Sequence, residues 1–355
     1  MNIDQPIEVR KGEEIDTEKL GSYLESINPD WSGEVSVKQF PSGYSNLTYF
    51  LEVNGHELVL RRPPFGANVK SGHDMSREYR VMKALKDNFG KVPIVYAHTA
   101  DEDILGAEFY IMERVKGVVV RGRGLKSGGV EAYPQIADAW LNTLVELHST
   151  DYAAAGLEDL GRPKGYNRRQ IEGWTRRYVK AKTGDAKIIE KVMEWLNQRI
   201  PEESEHSLIH NDYKYDNVMF NPSDWSEVLA VLDWEMATLG DPLMDFGTTI
   251  SYWSEEEDIA HFGELISLPT YLEGNPSKVE LLKMYEERSG RDLSNIVYYY
   301  VYGLFKTAVV VQQIFYRYFH GHTQDKRFAG LGEAAKMMCF KASRAIEKDR
   351  IDQLF

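Results

Sequence analysis

The stretch His210-Asn211-Asp212-Tyr213-Lys214-Tyr215-Asp216-Asn217, followed sixteen residues later by Asp233-Trp234-Glu235, decides how this chain is read. The pattern H-x-D-x-x-x-x-N runs into Val218-Met219-Phe220, a polar turn at Asn221-Pro222-Ser223-Asp224, and then Val228-Leu229-Ala230-Val231-Leu232. Short apolar runs bounded by turn residues predict two small strands. Asn217 then opens the first strand and Asp233 closes the second, so a hairpin would bring two oxygen-bearing side chains together. Such a pair suits Mg²⁺, a hard ion that takes oxygen ligands. Asp212 can accept a hydroxyl proton, and Lys214 can neutralise charge on a phosphoryl group in flight. Phosphoryl transfer asks for little more than this: nucleotide and metal held, an acceptor oriented, and charge spread. A lone H-x-D is common in surface turns; the specificity lies in the whole pattern.

Composition sets the outer bounds. A chain of 355 residues, 43% of them hydrophobic, can bury a large core in two lobes. A net charge of −13 argues against nucleic-acid or anionic-membrane partners. The single cysteine, Cys339, sits among apolar residues, reads as a buried thiol and fits a reducing cytoplasm. Residues 1–8 lack the layout of a signal peptide. The apolar stretch 296–319 is interrupted by Lys306, Gln312 and Gln313, which predicts a core helix with one polar stripe and not a membrane span.

Upstream of the motif, residues 1–33 read as a polar N-terminal extension with a helix over 16–25. Strands are expected over 35–40, 47–53 and 57–61, the last two joined by the hairpin dipeptide Asn54-Gly55. A helix over 74–86 and strands near 92–97 and 109–112 complete this part, and after Gly129 the periodicity turns helical. Asp241 is placed to cap a helix over 242–252, with Pro242 at its first position.

The runs at residues 232–247 (LDWEMATLGDPLMDFG) and 165–174 (GYNRRQIEGW) carry a resemblance beyond the motif. The sequence is similar to the aminoglycoside phosphotransferase family of kinase-like enzymes, which also contains choline and homoserine kinases. Within it, the chain resembles the kinase-like domain fused to acyl-CoA dehydrogenases. The resemblance runs from about residue 34 to the last helices. It implies an α+β, protein-kinase-like, two-lobed fold: a small antiparallel-sheet lobe over 34–113 and a large, mainly helical lobe over 114–355.

The same resemblance implies site roles. Ser42, Gly43, Tyr44, Ser45 and Asn46 would form the nucleotide-covering loop. Arg61 stands where such enzymes keep a lysine for the α/β-phosphates, with Glu78 as its helical partner. Arg keeps the charge but is forked and planar, so the exchange is not neutral. Adenine would rest on backbone groups near Glu113 and Val115. Asp212 would be the base, Lys214 its catalytic neighbour, and Asn217 and Asp233 the Mg²⁺ ligands. His210, Asp241 and Asp245 would brace the catalytic loop, and His148 reads as a packed structural histidine.

The expected activity is Mg²⁺-dependent transfer of the ATP γ-phosphoryl group to a hydroxyl of a small-molecule acceptor. Two features bear on the acceptor. Trp253 precedes the acidic run 254–258, which could receive a cationic aminoglycoside or choline, although Ser254 and Glu257 also form a capping box, the favoured reading. Basic residues (Arg121, Arg123, Lys126, then Arg162, Lys164, Arg168, Arg169, Arg176, Arg177) suit an anionic acceptor such as a hydroxyacyl-CoA, or simply form a solvated face. A nucleotide-binding pseudokinase that docks partners is the rival class, with Arg61 as its support. A protein kinase is disfavoured, since no Ala-Pro-Glu motif follows Asp233.

Overall fold

Asn54 and Gly55 both take positive φ, 47° and 76°. That backbone matches the twist of two flanking strands and makes the tightest hairpin turn. The sheet it anchors belongs to a computed structural model that describes residues 5–41, 46–65, 74–122, 124–125, 129–203, 205–263 and 268–355. The expected loop residues Ser42, Gly43, Tyr44 and Ser45, and the basic residues Arg123 and Lys126, lie outside the described residues.

In chain order the elements begin with α1 (Thr17–Ile27), β1 (Val35–Gln39), β2 (Leu47–Val53), β3 (His56–Arg62) and α2 (Met75–Leu85). Next come β4 (Val95–Thr99), α3 (Glu102–Leu105), β5 (Phe109–Glu113), β6 (Val118–Val119), α4 (Tyr133–His148), α5 (Tyr166–Ala181) and α6 (Lys187–Gln198). Then follow β7 (Ser207–Ile209), β8 (Val218–Asn221), β9 (Asp224–Val231), β10 (Thr238–Gly240), α7 (Pro242–Tyr252) and α8 (Glu256–Phe262). The last helices are α9 (Lys278–Ser289), α10 (Ile296–Phe319) and α11 (Leu331–Lys348).

The chain divides into two compact units, one of residues 1–119, 153–157 and 217–237, the other of residues 120–152, 158–216 and 238–355. In the first, five antiparallel strands run in the order β1-β2-β3-β5-β4. One face of β2 is buried at alternate positions, the period of a half-covered strand. Its core gathers Tyr49, Leu51, Leu58, Leu60, Phe109 and Ile111. Leu20 and Leu24 of α1, together with Trp31, complete that same core. The segment expected as a polar extension is therefore an amphipathic cover for the sheet, its polar face hiding a leucine pair from composition. The hairpin β8–β9 also falls in this unit, with β6 paired along β8; the sequence reading set it in the helical lobe.

The second unit is built mainly from helices, with the short antiparallel pair β7–β10 among them. α7 and α10 cross with almost no space between them. A Cβ at Gly303 would stand 2.7 Å from the Gly247 carbonyl, so both positions require glycine for the close approach. Asp241 caps α7 through the Leu243 N–H at 2.8 Å. Cys339 is fully buried. No described helix is long and apolar enough to cross a membrane.

One local reading needs correction. The cap of α8 is Glu255, not Ser254: the Glu255 N–H donates to Asp258 at 3.0 Å, and Ser254 instead exchanges hydrogen bonds with Thr270. The run has acids at both spacings, so sequence alone could not set the register. The helix over 296–319 is a core helix as expected, with Lys306 and Gln312 3% and 5% exposed and Gln313 exposed.

Candidate active site

In the sheet unit, Arg61 stands near the end of β3 and Glu78 in the first turn of α2, whose N-cap Asp74 accepts the Arg77 N–H. Arg61 Nε stands 3.2 Å from Glu78 Oε2, and the same guanidinium pairs with Asp233. Burial pushes the Glu78 carboxyl upward while Arg61 pulls it back; the guanidinium, flanked by two carboxylates, is held well above its usual range despite its burial. Glu78 also accepts the Trp234 N–H at 3.3 Å, which ties α2 to the residue after Asp233.

The hairpin β8–β9 does what its sequence predicts. The Leu232 N–H donates to the Asn217 carbonyl at 2.8 Å, so the chain entering β8 and the chain leaving β9 lie side by side. Asp233 takes a left-handed backbone, φ 66°, ψ 58°, a conformation that Asp tolerates better than most residues. Asn46 donates to Glu235 at 3.0 Å, a contact across 189 residues that no local pattern announces. Glu113 ends β5 with its N–H already bonded to the Ile94 carbonyl and its carboxylate to the Ile94 N–H, both at 2.8 Å. Of the two positions expected at adenine, Glu113 therefore has its N–H committed to the sheet, and Val115 packs with Val119, Met219 and Ala230.

In the helical unit, residues 210–216 form a loop fastened from below. Asp245 accepts the N–H groups of His210 and Asn211 at 2.8 and 2.7 Å, and lies 3.1 Å from His148 Nε2, whose Nδ1 meets the Tyr285 hydroxyl at 2.8 Å. Burial alone would raise the Asp245 carboxyl, but His148 and the loop N–H groups outweigh it and hold it below the usual carboxylate range; burial lowers His148. The pair is thus a carboxylate receiving a proton-sharing bond from a neutral imidazole. Tyr213 and Tyr215 flank Asp212 and Lys214 in sequence and bury their rings on Trp140, at 5.2 and 5.4 Å, with hydroxyls on the Trp140 carbonyl and on Asn275. The alternation anchors every second residue of the loop.

Asp212 itself is partly exposed. Lys214 Nζ lies 3.0 Å from Asp212 Oδ2 and 3.2 Å from Oδ1, and the Tyr252 hydroxyl donates to Oδ1 at 2.8 Å. Burial, then the Asp212 charge, holds the Tyr252 phenol far above its usual range, so it stays a donor. His210 Nδ1 faces the Asp212 N–H at 3.3 Å. The next carboxyl along the loop, Asp216, has a buried Oδ1 without a hydrogen-bond partner, and burial raises its proton affinity.

Trp253 is no cation platform. It is 2% exposed, donates its indole N–H to the Pro276 carbonyl at 3.0 Å, and packs on Trp140 and Tyr215. Sequence reasoning also missed Tyr252 and Lys306, both of which touch the loop of residues 210–216. The one available signal was a lone lysine inside the most apolar helix.

The model of the Phosphotransferase enzyme family matches residues 36–276. Acyl-CoA dehydrogenase family member 11 of Gallus gallus is 34% identical over 96% of this chain and 44% of its own length. The chain spans less than half the length of such curated relatives. A Ralstonia eutropha JMP134 crystal structure, of a protein assigned by name to the aminoglycoside phosphotransferases, has TM-score 0.80 and 34% identity, covering 94% of this chain and 99% of the other. A ternary complex of aminoglycoside phosphotransferase APH(4)-Ia with AMP-PNP and hygromycin B shares the fold at TM-score 0.58 and 15% identity, covering 92% of this chain and 98% of its own. The kinase-like architecture and the match along most of the sequence establish that this chain belongs to the phosphotransferase enzyme family.

Proposed function

We propose that the chain transfers the γ-phosphoryl group of ATP to a hydroxyl group of a small-molecule acceptor, with Mg²⁺ as the required ion. The observation that carries this reading is the Asp212 carboxylate, held from one side by the Tyr252 hydroxyl and from another by Lys214. A carboxylate fixed in this way can take the acceptor proton as the oxygen attacks, and Lys214 can balance charge on the moving phosphoryl group. Arg61, steadied by Glu78, is the cation for the nucleotide phosphates, in the lobe of residues 34–113. The AMP-PNP bound by APH(4)-Ia supports ATP as the donor.

Asn217 and Asp233 fit Mg²⁺ chemically. Both bring oxygen donors and stand at the two ends of one hairpin, whose backbone is joined beside them by the Leu232 N–H to the Asn217 carbonyl; these two residues would hold the ion, which commonly takes few protein ligands. When bound, the ion would neutralise phosphate charge and align the β- and γ-phosphates. His210, Asp241 and Asp245 serve the loop from behind, and the single cysteine supports a cytoplasmic setting.

For the acceptor, we favour an anionic alcohol such as a hydroxyacyl-CoA. Arg162, Lys164, Arg168, Arg169, Arg176 and Arg177 are all exposed on and before α5, and the relatives are named as acyl-CoA dehydrogenases. Burial of Trp253 removes the main support for a cationic acceptor. The test is ADP release from Mg·ATP with hydroxyacyl-CoA thioesters, aminoglycosides, choline and homoserine in parallel. Turnover with the thioesters alone supports the full reading. Turnover with a cationic alcohol overturns the acceptor class, and nucleotide binding without turnover on any acceptor favours the pseudokinase.

A further inference from the structure

Asn211 is gripped by three helices at once. Its N–H donates to Asp245 of α7 at 2.7 Å, its side-chain oxygen accepts the Tyr166 hydroxyl of α5 at 3.0 Å, and its carbonyl accepts the Lys306 ammonium of α10. It stands in the left-handed region with φ 67°. Asn tolerates that backbone better than most residues, and the three bonds fix it there. The residue that follows is Asp212.

Resting on Asp212 as the base of the reaction above, we propose that Lys306 is a positioning residue: its ammonium holds the Asn211 carbonyl and so sets the turn that presents Asp212. Placing a charge in the middle of an apolar helix is costly unless it is compensated, and a helix packed by Tyr299, Tyr300, Tyr302, Leu304 and Phe305 offers no reason of its own to keep one. The charged groups around Lys306 are Asp212 and Lys214 of the loop, Asp245 of α7 and Arg177 of α5. Burial brings the Lys306 ammonium down to about 8 against the pull of Asp212 and Asp245. Its proton is therefore lost just above neutrality, and with it the positive charge behind the loop. Activity then declines on the alkaline side as Lys306 deprotonates.

The test compares Lys306→Met and Lys306→Arg with the wild-type chain by two readouts. In hydrogen exchange, residues 208–217 exchange faster in K306M while the remainder of the chain keeps its protection, and K306R stays near wild type. In kinetics, with the acceptor that turns over best in the panel, K306M loses roughly 100-fold in kcat, the scale of a small misplacement of the reacting groups, with KM for ATP little changed. K306R moves the alkaline limb upward because guanidinium keeps its proton. Unchanged exchange in folded K306M overturns the proposal whatever the activity. So does faster exchange with an unaltered kcat and pH profile. If K306M does not fold, Lys306→Gln, which is uncharged and one bond shorter than lysine, takes its place with the same expectations. Absence of turnover in the wild type defeats the kinase reading instead, and the exchange data still decide whether Lys306 holds the loop.

Discussion

Arg61 Nε lies 3.2 Å from Glu78 Oε2, and the same guanidinium reaches Asp233. The guanidinium of arginine reaches further than a lysine ammonium and presents its donors on a rigid planar fork, so separate nitrogens can meet two carboxylates. The departure from the family's lysine is therefore matched by geometry, with one side chain linking β3, α2 and the end of the β8–β9 hairpin.

Removing that link should be expensive. Arg61→Ala leaves Glu78, 1% exposed, without its counter-charge. Loss of one partner of a buried pair costs about 3–5 kcal/mol. Urea denaturation should show a loss of that order, with Arg61→Lys in between and binding Mg·ATP more weakly than wild type. An R61A chain as stable as wild type would show that the pair contributes nothing net.

Tyr252→Phe keeps the ring and deletes only the hydroxyl that donates to Asp212. A hydrogen bond to a charged group contributes about 1.5–3 kcal/mol to stability, so stability should fall by up to that amount, and kcat by roughly 10- to 100-fold as Asp212 loses its fixed orientation. Full activity in Y252F would mean that Lys214 and the loop orient Asp212 unaided.

Gly247→Ala tests the crossing of α7 and α10. The added methyl would collide with the Tyr299 backbone, and overpacking of this kind costs about 1–3 kcal/mol. Since α7 carries Asp245 and Tyr252, the variant should lose activity along with stability. A denaturation midpoint equal to wild type would show that the helices part at no cost.

Stability should fall with acid in two stages. The folded chain holds His148 below its ordinary value of about 6.5, so as pH drops below that value the unfolded state takes up the proton first and stability declines. Asp245 is also held below its ordinary range, so its contribution is present above about pH 4 and is lost as pH falls through its lower, folded value. His148→Gln should remove the upper stage and shrink the lower one, because His148 is the first of the groups that hold Asp245 down. Urea midpoints from pH 8 to pH 3 would reveal both, and a curve flat between pH 7 and pH 5 would contradict the neutral buried imidazole.

What the sequence disclosed was local or rule-bound. The Asn54-Gly55 turn, the Asp241 cap with Pro242, and the β8–β9 hairpin each rest on neighbouring residues, and each is found where its pattern places it. What stayed hidden joins distant segments. Tyr252 lies 40 residues from Asp212, and Lys306 lies 95 from Asn211. No periodicity encodes such pairs. The acidic run after Trp253 misled for a different reason: acids one residue apart satisfy two cap registers equally, and only packing chose Glu255.

The most direct measurement is transfer of labelled γ-phosphoryl from Mg·ATP to an acceptor in a single turnover, with wild type and Asp212→Asn side by side and nucleotide affinity measured on the same samples. The account predicts labelled phosphorylated acceptor from wild type, and a loss of at least about 100-fold in D212N with nucleotide affinity nearly intact. Equal transfer rates in the two chains would contradict Asp212 as the base, and with it the central claim.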